Sequence, residues 1–135
     1  MNMWYPQLED LLIIGEQVLG VSAIDLAKVI NIALADSALA SPAASFGGQE
    51  FYPAPIVKAA VLCSHLSKNH AMPDGNKRLA YVSMTVFLQV NGFAWSEPDP
   101  VDVDAMIRTV TAGDLDDDVM MGEFVAWIRE HSERA

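Results

Sequence analysis

Apolar residues recur at helical spacing along most of the 135-residue chain, interrupted by short polar breaks. One apolar residue every three or four positions is typical of amphipathic helices. Start and stop signals predict a helix that ends at Gly20 and five further segments, over residues 22–39, 55–68, 75–90, 101–112 and 116–131. No alternating strand pattern of any length competes with these helices. The sequence therefore predicts one all-α domain, residues 1–135, with a single short hairpin or flap.

The segment over residues 75–90 differs from the others because it is apolar on nearly every side. A helix of this kind is buried all round, so we expect it to be the central element of the domain. Gly92 follows it as a stop signal. The one extended break, residues 41–55, contains prolines, small residues and a glycine pair, which predict the loop or hairpin.

Composition restricts the class of protein. The single cysteine, Cys63, excludes an intramolecular disulfide, and its apolar neighbours favour a buried, inert thiol. The first ten residues lack the features of a signal peptide, and no apolar run reaches the roughly 18 residues that a membrane span requires. We therefore expect a cytoplasmic protein with no membrane association.

The charge distribution argues for a small anionic ligand. The formal net charge is −10, whereas proteins that bind nucleic acid usually present a basic face to the phosphates. The basic residues are unevenly placed, however, because residues 51–80 carry four of them against one aspartate. A cationic pocket in an acidic protein suits a compact anion such as a nucleotide. It does not suit a long nucleic acid, so we expect no nucleic-acid partner.

Polar residues gather directly before the central helix, in the segment HAMPDGNKR, residues 70–78. The first turn of a helix offers free backbone N–H groups and the positive end of the helix dipole, so it forms an anion site. Gly75 lets a phosphate approach the backbone, and Asn76 adds amide donors. Lys77 and Arg78 add positive charge, and the arginine can bind two phosphate oxygens at once.

Two further residues of this segment suit catalysis. Asp74 is a hard oxygen ligand for Mg²⁺, which usually binds one or two carboxylates together with substrate phosphates. His70 carries an imidazole, which can take a proton from an attacking hydroxyl. Taken singly, an aspartate such as Asp74 is far more often a helix cap than a metal ligand, and His70 is an ordinary helix-terminal residue. Their joint presence beside a buried helix favours phosphoryl or nucleotidyl transfer.

The same segment resembles the signature of the Fic/Doc family, His-x-Phe-x-(Asp/Glu)-Gly-Asn-(Gly/Lys)-Arg, at six of its seven specified positions. The likeness extends to the flanking segments ALADSALASPAASFGGQEFYP, KAAVLCSHLSKNH and FLQVNGF. The resemblance implies that His70 is the general base and that Asp74 binds Mg²⁺. It implies that the ATP phosphates are held by the next four residues, Gly75, Asn76, Lys77 and Arg78. A flap around residues 46–52 would pair with the target segment as a strand does.

Lys77 indicates which reaction the resemblance implies. Most Fic members transfer AMP, whereas Doc-type members have a lysine here, bind ATP in the reverse orientation and transfer the γ-phosphoryl. A Doc-like toxin kinase would phosphorylate a threonine of elongation factor Tu, arrest translation and be inhibited in trans by a small Phd-like antitoxin. AMP transfer and a catalytically silent binding module are the alternatives.

The chain departs from the family pattern in three ways. Met72 replaces the aromatic residue of the signature, and we expect this large, flexible side chain to preserve core packing. Tyr81 stands where many AMP-transferring members have a second arginine, which weakens the case for AMP transfer. The self-inhibitory pattern Ser/Thr-x-x-x-Glu-Gly is not found in the sequence, so inhibition would come from a partner chain.

Overall fold

The computed structural model describes residues 2–135, and within them the chain is mainly helical. Seven α-helices are described: α1 (Leu8–Leu19), α2 (Ala23–Val29), α3 (Ile32–Ala40), α4 (Pro55–Lys68), α5 (Asn76–Val90), α6 (Pro100–Ala112) and α7 (Asp118–Glu130). Two small antiparallel sheets accompany them, formed by β1 (Ser45–Phe46) with β2 (Gln49–Glu50), and β3 (Phe93–Trp95) with β4 (Ser132–Arg134). The predicted all-α class is confirmed.

Helices α4 and α5 together form the centre of the molecule. They pack against each other more extensively than any other pair of elements, and α5 also contacts α1, α6 and β3. The prediction that α5 is central is confirmed, and α4 proves equally buried. Cys63 of α4 is fully buried, and burial raises the pKa of its thiol, as expected for an inert cysteine.

The segment predicted as one helix over residues 22–39 is interrupted between α2 and α3. Ile30 has an extended backbone, and the Asn31 side chain accepts a hydrogen bond from Leu34 N at 3.1 Å, so Asn31 starts a new helix. The Asn31 backbone N–H donates to Ala71 O at 2.7 Å. This bond ties the break between the two helices to the loop that precedes α5.

The break over residues 41–55 contains the predicted hairpin. A 3₁₀ turn, Ser41–Ala43, leads into β1 and β2, which pair Ser45 with Glu50 and Phe46 with Gln49. The two connecting residues, Gly47 and Gly48, have φ of 59° and 80°, the positive values that a type I′ hairpin turn requires. We call residues 45–52 the flap.

Strands β3 and β4 were not predicted. They pair Phe93 with Arg134 and Trp95 with Ser132, which brings residues 132–134 beside the strand that follows α5. Three-residue strands are too short to show an alternating pattern. No helix among residues 2–135 is both long and apolar enough to cross a membrane.

Candidate active site

His70 lies just beyond α4, in an unusual backbone conformation. The helix ends at Lys68 and Asn69 caps it, whereas His70 has φ of +50° and an exposed side chain. It is the one non-glycine residue with positive φ between residues 2 and 135. Such a conformation is uncommon for a residue with a Cβ, and it often occurs at functional sites. The chain therefore turns sharply at the predicted general base.

The loop between His70 and α5 is held rigidly from within. Ala71 and Met72 are buried in the core, so the expectation that methionine preserves packing in place of an aromatic residue is confirmed. The Asn76 side chain accepts from Met72 N at 3.0 Å and donates to Met72 O at 2.8 Å. Asn76, which was predicted to donate to a phosphate, therefore also holds the loop in place through these two hydrogen bonds.

Gly75 starts α5 in the left-handed conformation, with φ of +81°. A Cβ at this position would be strained at this positive φ and would also force the Leu19 side chain of α1 to shift, so both effects favour glycine. The lack of a side chain at Gly75 makes room for α1. It was also predicted to let a phosphate approach the backbone. The Asp74 carboxylate accepts a hydrogen bond from Gly75 N at 2.8 Å, which leaves its second oxygen available.

The first turn of α5 presents unused backbone donors. The first backbone hydrogen bond of the helix runs from Leu79 N to Gly75 O. The N–H groups of Asn76, Lys77 and Arg78 have no partner within residues 2–135. They carry the partial positive charge of the helix N-terminus, and this is the geometry of an anion site.

A cavity of about 390 Å³ brings all six predicted site residues together. Besides these six, from His70 to Arg78, it is lined by Pro73 of the same loop and by Ser67, Asp104 and Thr111. The side chains of Ser67 and Thr111 each donate to a backbone carbonyl of their own helix. Asp104 forms an ion pair with Arg108 at 2.9 Å.

Only two of the four basic residues counted in residues 51–80 line this cavity. Lys77 makes no ion pair within residues 2–135, and the Arg78 guanidinium donates to Val18 O of α1 at 2.8 Å. Lys68 instead donates to Thr111 O at 2.9 Å and to Gly113 O, at the C-terminal end of α6. Lys58 is buried beneath the flap. The local excess of charge seen in the sequence is therefore divided among different parts of the fold.

Lys58 connects α4 to the flap. Its side chain is 2% exposed, and its ammonium donates to Pro42 O and to the Glu50 carboxylate, both at 2.9 Å. Burial alone would lower the pKa of Lys58, but the neighbouring Tyr5 and Glu50 more than offset this effect and raise it. The ammonium therefore stays charged and holds the flap against the core.

A second cavity, of about 460 Å³, adjoins the first and shares Lys77, Arg78 and Asp104 with it. Its remaining lining comes from α1, α5, α6 and the segment before α6: Gln17, Val18, Tyr81, Val82, Glu97, Pro100, Val103 and Ile107. We call this cavity the α1–α6 groove. Sequence reasoning missed it because its walls come from four separate stretches of the chain.

Tyr81, Trp95 and Glu97 form a hydrogen-bonded cluster on the α1–α6 groove. The Tyr81 hydroxyl donates to Glu97 Oε1 at 2.7 Å, and Trp95 Nε1 donates to the Tyr81 hydroxyl at 3.0 Å and to Glu97 Oε2 at 3.1 Å. Burial, followed by the Glu97 carboxylate, raises the pKa of Tyr81. The phenol is therefore neutral at physiological pH and fixes the carboxylate in place.

The donor set at the site suits Mg²⁺ better than a tightly held transition metal. No group of three or more His, Cys, Asp or Glu side chains converges anywhere in residues 2–135. Asp74 is a single exposed carboxylate beside an anion site. Mg²⁺ commonly takes one carboxylate and completes its shell with water and substrate phosphates. Asp74 thus fits an ion that arrives with a nucleotide.

Comparison with known proteins assigns the family. The sequence profile of the Fic/DOC family matches residues 7–88, which include α1 and all but the last two residues of α5. The chain belongs to the Fic/Doc family. It is also 34% identical over 124 residues to Toxin Doc of Mycolicibacterium smegmatis (strain ATCC 700084 / mc(2)155), a match that covers 91% of this chain and 92% of that protein. No solved structure gives a significant match. The family resemblance seen in residues 70–78 is confirmed.

Proposed function

We propose that this Fic/Doc protein is a Doc-like toxin that transfers the γ-phosphoryl group of ATP to a Ser or Thr hydroxyl of a protein. Elongation factor Tu is the expected target, so the toxin would arrest translation in the cytoplasm. One observation carries the proposal: a single cavity contains an exposed histidine, the carboxylates of Asp74 and Asp104, two cations and three backbone N–H groups that have no partner within residues 2–135. The similarity to Toxin Doc over nearly the whole chain supports it.

The cavity residues divide the chemistry among them. The His70 imidazole accepts the proton of the target hydroxyl while the hydroxyl oxygen forms a bond to the γ-phosphorus. The bond from that phosphorus to the β,γ-bridging oxygen breaks, and ADP leaves with the electron pair. The backbone N–H groups of α5 and the Lys77 ammonium stabilise the negative charge on the transferred group. Mg²⁺ held by Asp74 would neutralise charge on the phosphates.

Two side chains favour phosphoryl transfer over AMP transfer. Lys77 occupies the position where AMP-transferring relatives have a glycine, and its long side chain lines both cavities. Tyr81 occupies the position of their second arginine and is bonded to the Glu97 carboxylate at 2.7 Å. A carboxylate repels phosphate where an arginine would bind it. The triphosphate therefore points its γ-phosphate toward His70 rather than toward Tyr81.

The flap and the antitoxin complete the proposal. Phe46 and Phe51 of the flap are 80% and 60% exposed, which leaves two aromatic side chains available to a target segment. The strands of the flap have free edges that can pair with such a segment.

The self-inhibitory sequence pattern was not found, so we propose that a Phd-like antitoxin inhibits the toxin in trans.

Intact-mass spectrometry of elongation factor Tu, incubated with the protein, ATP and Mg²⁺, tests the proposal. The expected result is the addition of one phosphate, which His70→Ala abolishes. Glu123→Gln, at an exposed position on α7, serves as a control that should leave the addition unchanged. Addition of AMP would identify the alternative reaction. An unmodified factor would exclude this target, and an unmodified proteome in cell extract would exclude the enzymatic proposal.

A further inference from the structure

We propose that the α1–α6 groove binds the nucleoside part of the nucleotide, and that Glu97 is a specificity residue that accepts hydrogen bonds from the ribose hydroxyls. This inference rests on the proposed function and deepens it. It assigns a role to the α1–α6 groove. Part of the lining of this groove lies outside the signature and beyond residue 88, where the family match ends.

The position of the groove is the first reason. It shares Lys77 and Arg78 with the cavity that contains His70, so a triphosphate lying along these two cations has one end in each cavity. The end nearest His70 is the reacting phosphate. The other end, which carries the nucleoside, then enters the groove. A volume of about 460 Å³ lies within the range of small-molecule pockets.

The lining of the groove is the second reason. Its walls are apolar over most of their extent, with Val82, Val103, Pro100 and Ile107 facing the space from α5 and α6. Such walls suit a planar base. The groove also contains the Glu97 carboxylate, which disfavours a further phosphate. An uncharged nucleoside fits both the apolar walls and the carboxylate.

The hydrogen bonds of Glu97 are the third reason. A carboxylate has about four acceptor sites, and here each oxygen receives one protein bond, from Tyr81 or from Trp95. One acceptor site is left on each oxygen, and two neighbouring acceptors match the paired 2′- and 3′-hydroxyls of a ribose. Trp95 also packs edge-on against Tyr81 and Trp127, at ring separations of 6.2 and 5.9 Å. The carboxylate is therefore preorganised, which reduces the entropy cost of binding.

Nucleotide binding by calorimetry tests this assignment without requiring any turnover. MgATP, Mg-2′-deoxy-ATP and Mg-3′-deoxy-ATP are titrated into the wild-type protein, Glu97→Gln and the control Glu123→Gln. Hydrogen bonds to charged groups are the stronger kind, so wild type should bind each deoxy analogue about tenfold more weakly than ATP. Glu97→Gln should reduce this preference to about threefold or less, because its amide offers one acceptor in place of two. The control should keep the full preference.

Inorganic tripolyphosphate separates the subsite from the phosphate site. It should bind Glu97→Gln at least as tightly as wild type, since the substitution removes a negative charge near Lys77 and Arg78. Equal affinity of wild type for ATP and both analogues, or no ATP binding at all, would overturn the assignment. A ribose preference that depends on Glu97, without phosphoryl transfer to any protein, would instead overturn the proposed activity and leave the subsite intact.

Discussion

Replacing Lys58 with methionine tests how the flap is attached to the core. Methionine keeps most of the length of the stem and removes the ammonium group. In the wild-type protein this group is buried, donates to Pro42 O and to the Glu50 carboxylate, and lies 5.4 Å from the centre of the Tyr5 ring. All three interactions disappear in Lys58→Met, while the apolar packing of the stem is largely retained.

The structure sets the size of the expected effect. The buried Pro42 carbonyl loses its donor, which costs about 1–3 kcal/mol. The Glu50 side chain is 50% exposed, so water replaces the lost ion pair at a cost of at most about 1 kcal/mol. Loss of the cation–π contact adds about 0.5–1 kcal/mol. We expect the free energy of unfolding to fall by about 3 kcal/mol.

Urea unfolding followed by tryptophan fluorescence measures this change, and limited chymotrypsin digestion reports on the flap. We expect faster cleavage of Lys58→Met after the exposed Phe46 and Phe51. Glu50→Gln is the matched variant: it keeps an acceptor for the ammonium and should lose less than about 1 kcal/mol. If Lys58→Met unfolds at the same urea concentration as wild type and its flap is cut no faster, the ammonium does not hold the flap.

Three further predictions follow from single residues. The pKa values of Cys63, Tyr81 and Lys58 are all raised, so each group binds its proton more tightly in the folded chain than in the unfolded chain. Their contribution to stability is complete at a pH below the unfolded pKa values, of which the lowest is 9.0. Above that pH the free energy of unfolding should fall, by up to about 1.4 kcal/mol per pH unit for each group. Urea unfolding at pH 7 and pH 10 measures this loss, and a constant midpoint would contradict it. Gly75→Ala should destabilise the protein by about 1–2 kcal/mol in the same assay, because a residue with a Cβ is strained at φ of +81° and the Leu19 side chain must also shift; an unchanged midpoint would contradict the strain at this position. Asp74→Asn should leave stability nearly unchanged and raise the Mg²⁺ concentration required for phosphoryl transfer about tenfold or more, whereas an unaltered Mg²⁺ dependence would exclude Asp74 as the ligand.

The helices were largely predictable because their determinants are local. The predicted range 55–68 matches α4 at both ends, since Pro55 starts the helix and the apolar spacing runs without a break to Lys68. The break at Asn31 was missed because a mid-segment asparagine is compatible with a helix. Only the loop carbonyl of Ala71, brought close by the tertiary fold, completes the bonding that favours a new helix start there.

The difference between local and tertiary determinants also explains which parts of the site could be predicted from the sequence. The six residues from His70 to Arg78 lie on one loop and the first turn of one helix, so nine consecutive positions were enough to group them. Whether a neighbouring cation joins them is a tertiary property: Lys58 and Lys68 carry the same charge as Lys77, yet one is buried under the flap and the other caps α6. Charge counted along the sequence therefore overestimated the cationic character of the cavity.

The α1–α6 groove is the part of the site that required the fold. Glu97 follows a three-residue strand that exists because the end of the chain pairs with it, and the Tyr81 hydroxyl and Trp95 then hold its carboxylate against α5. Lys77 and Arg78 belong to the signature, yet they line the groove as well as the cavity that contains His70. In the proposed assignment, the signature holds the reacting end of the nucleotide, and residues outside the motif hold its other end. We therefore expect substitutions at Glu97 to change which nucleotide binds without changing His70, the proposed general base.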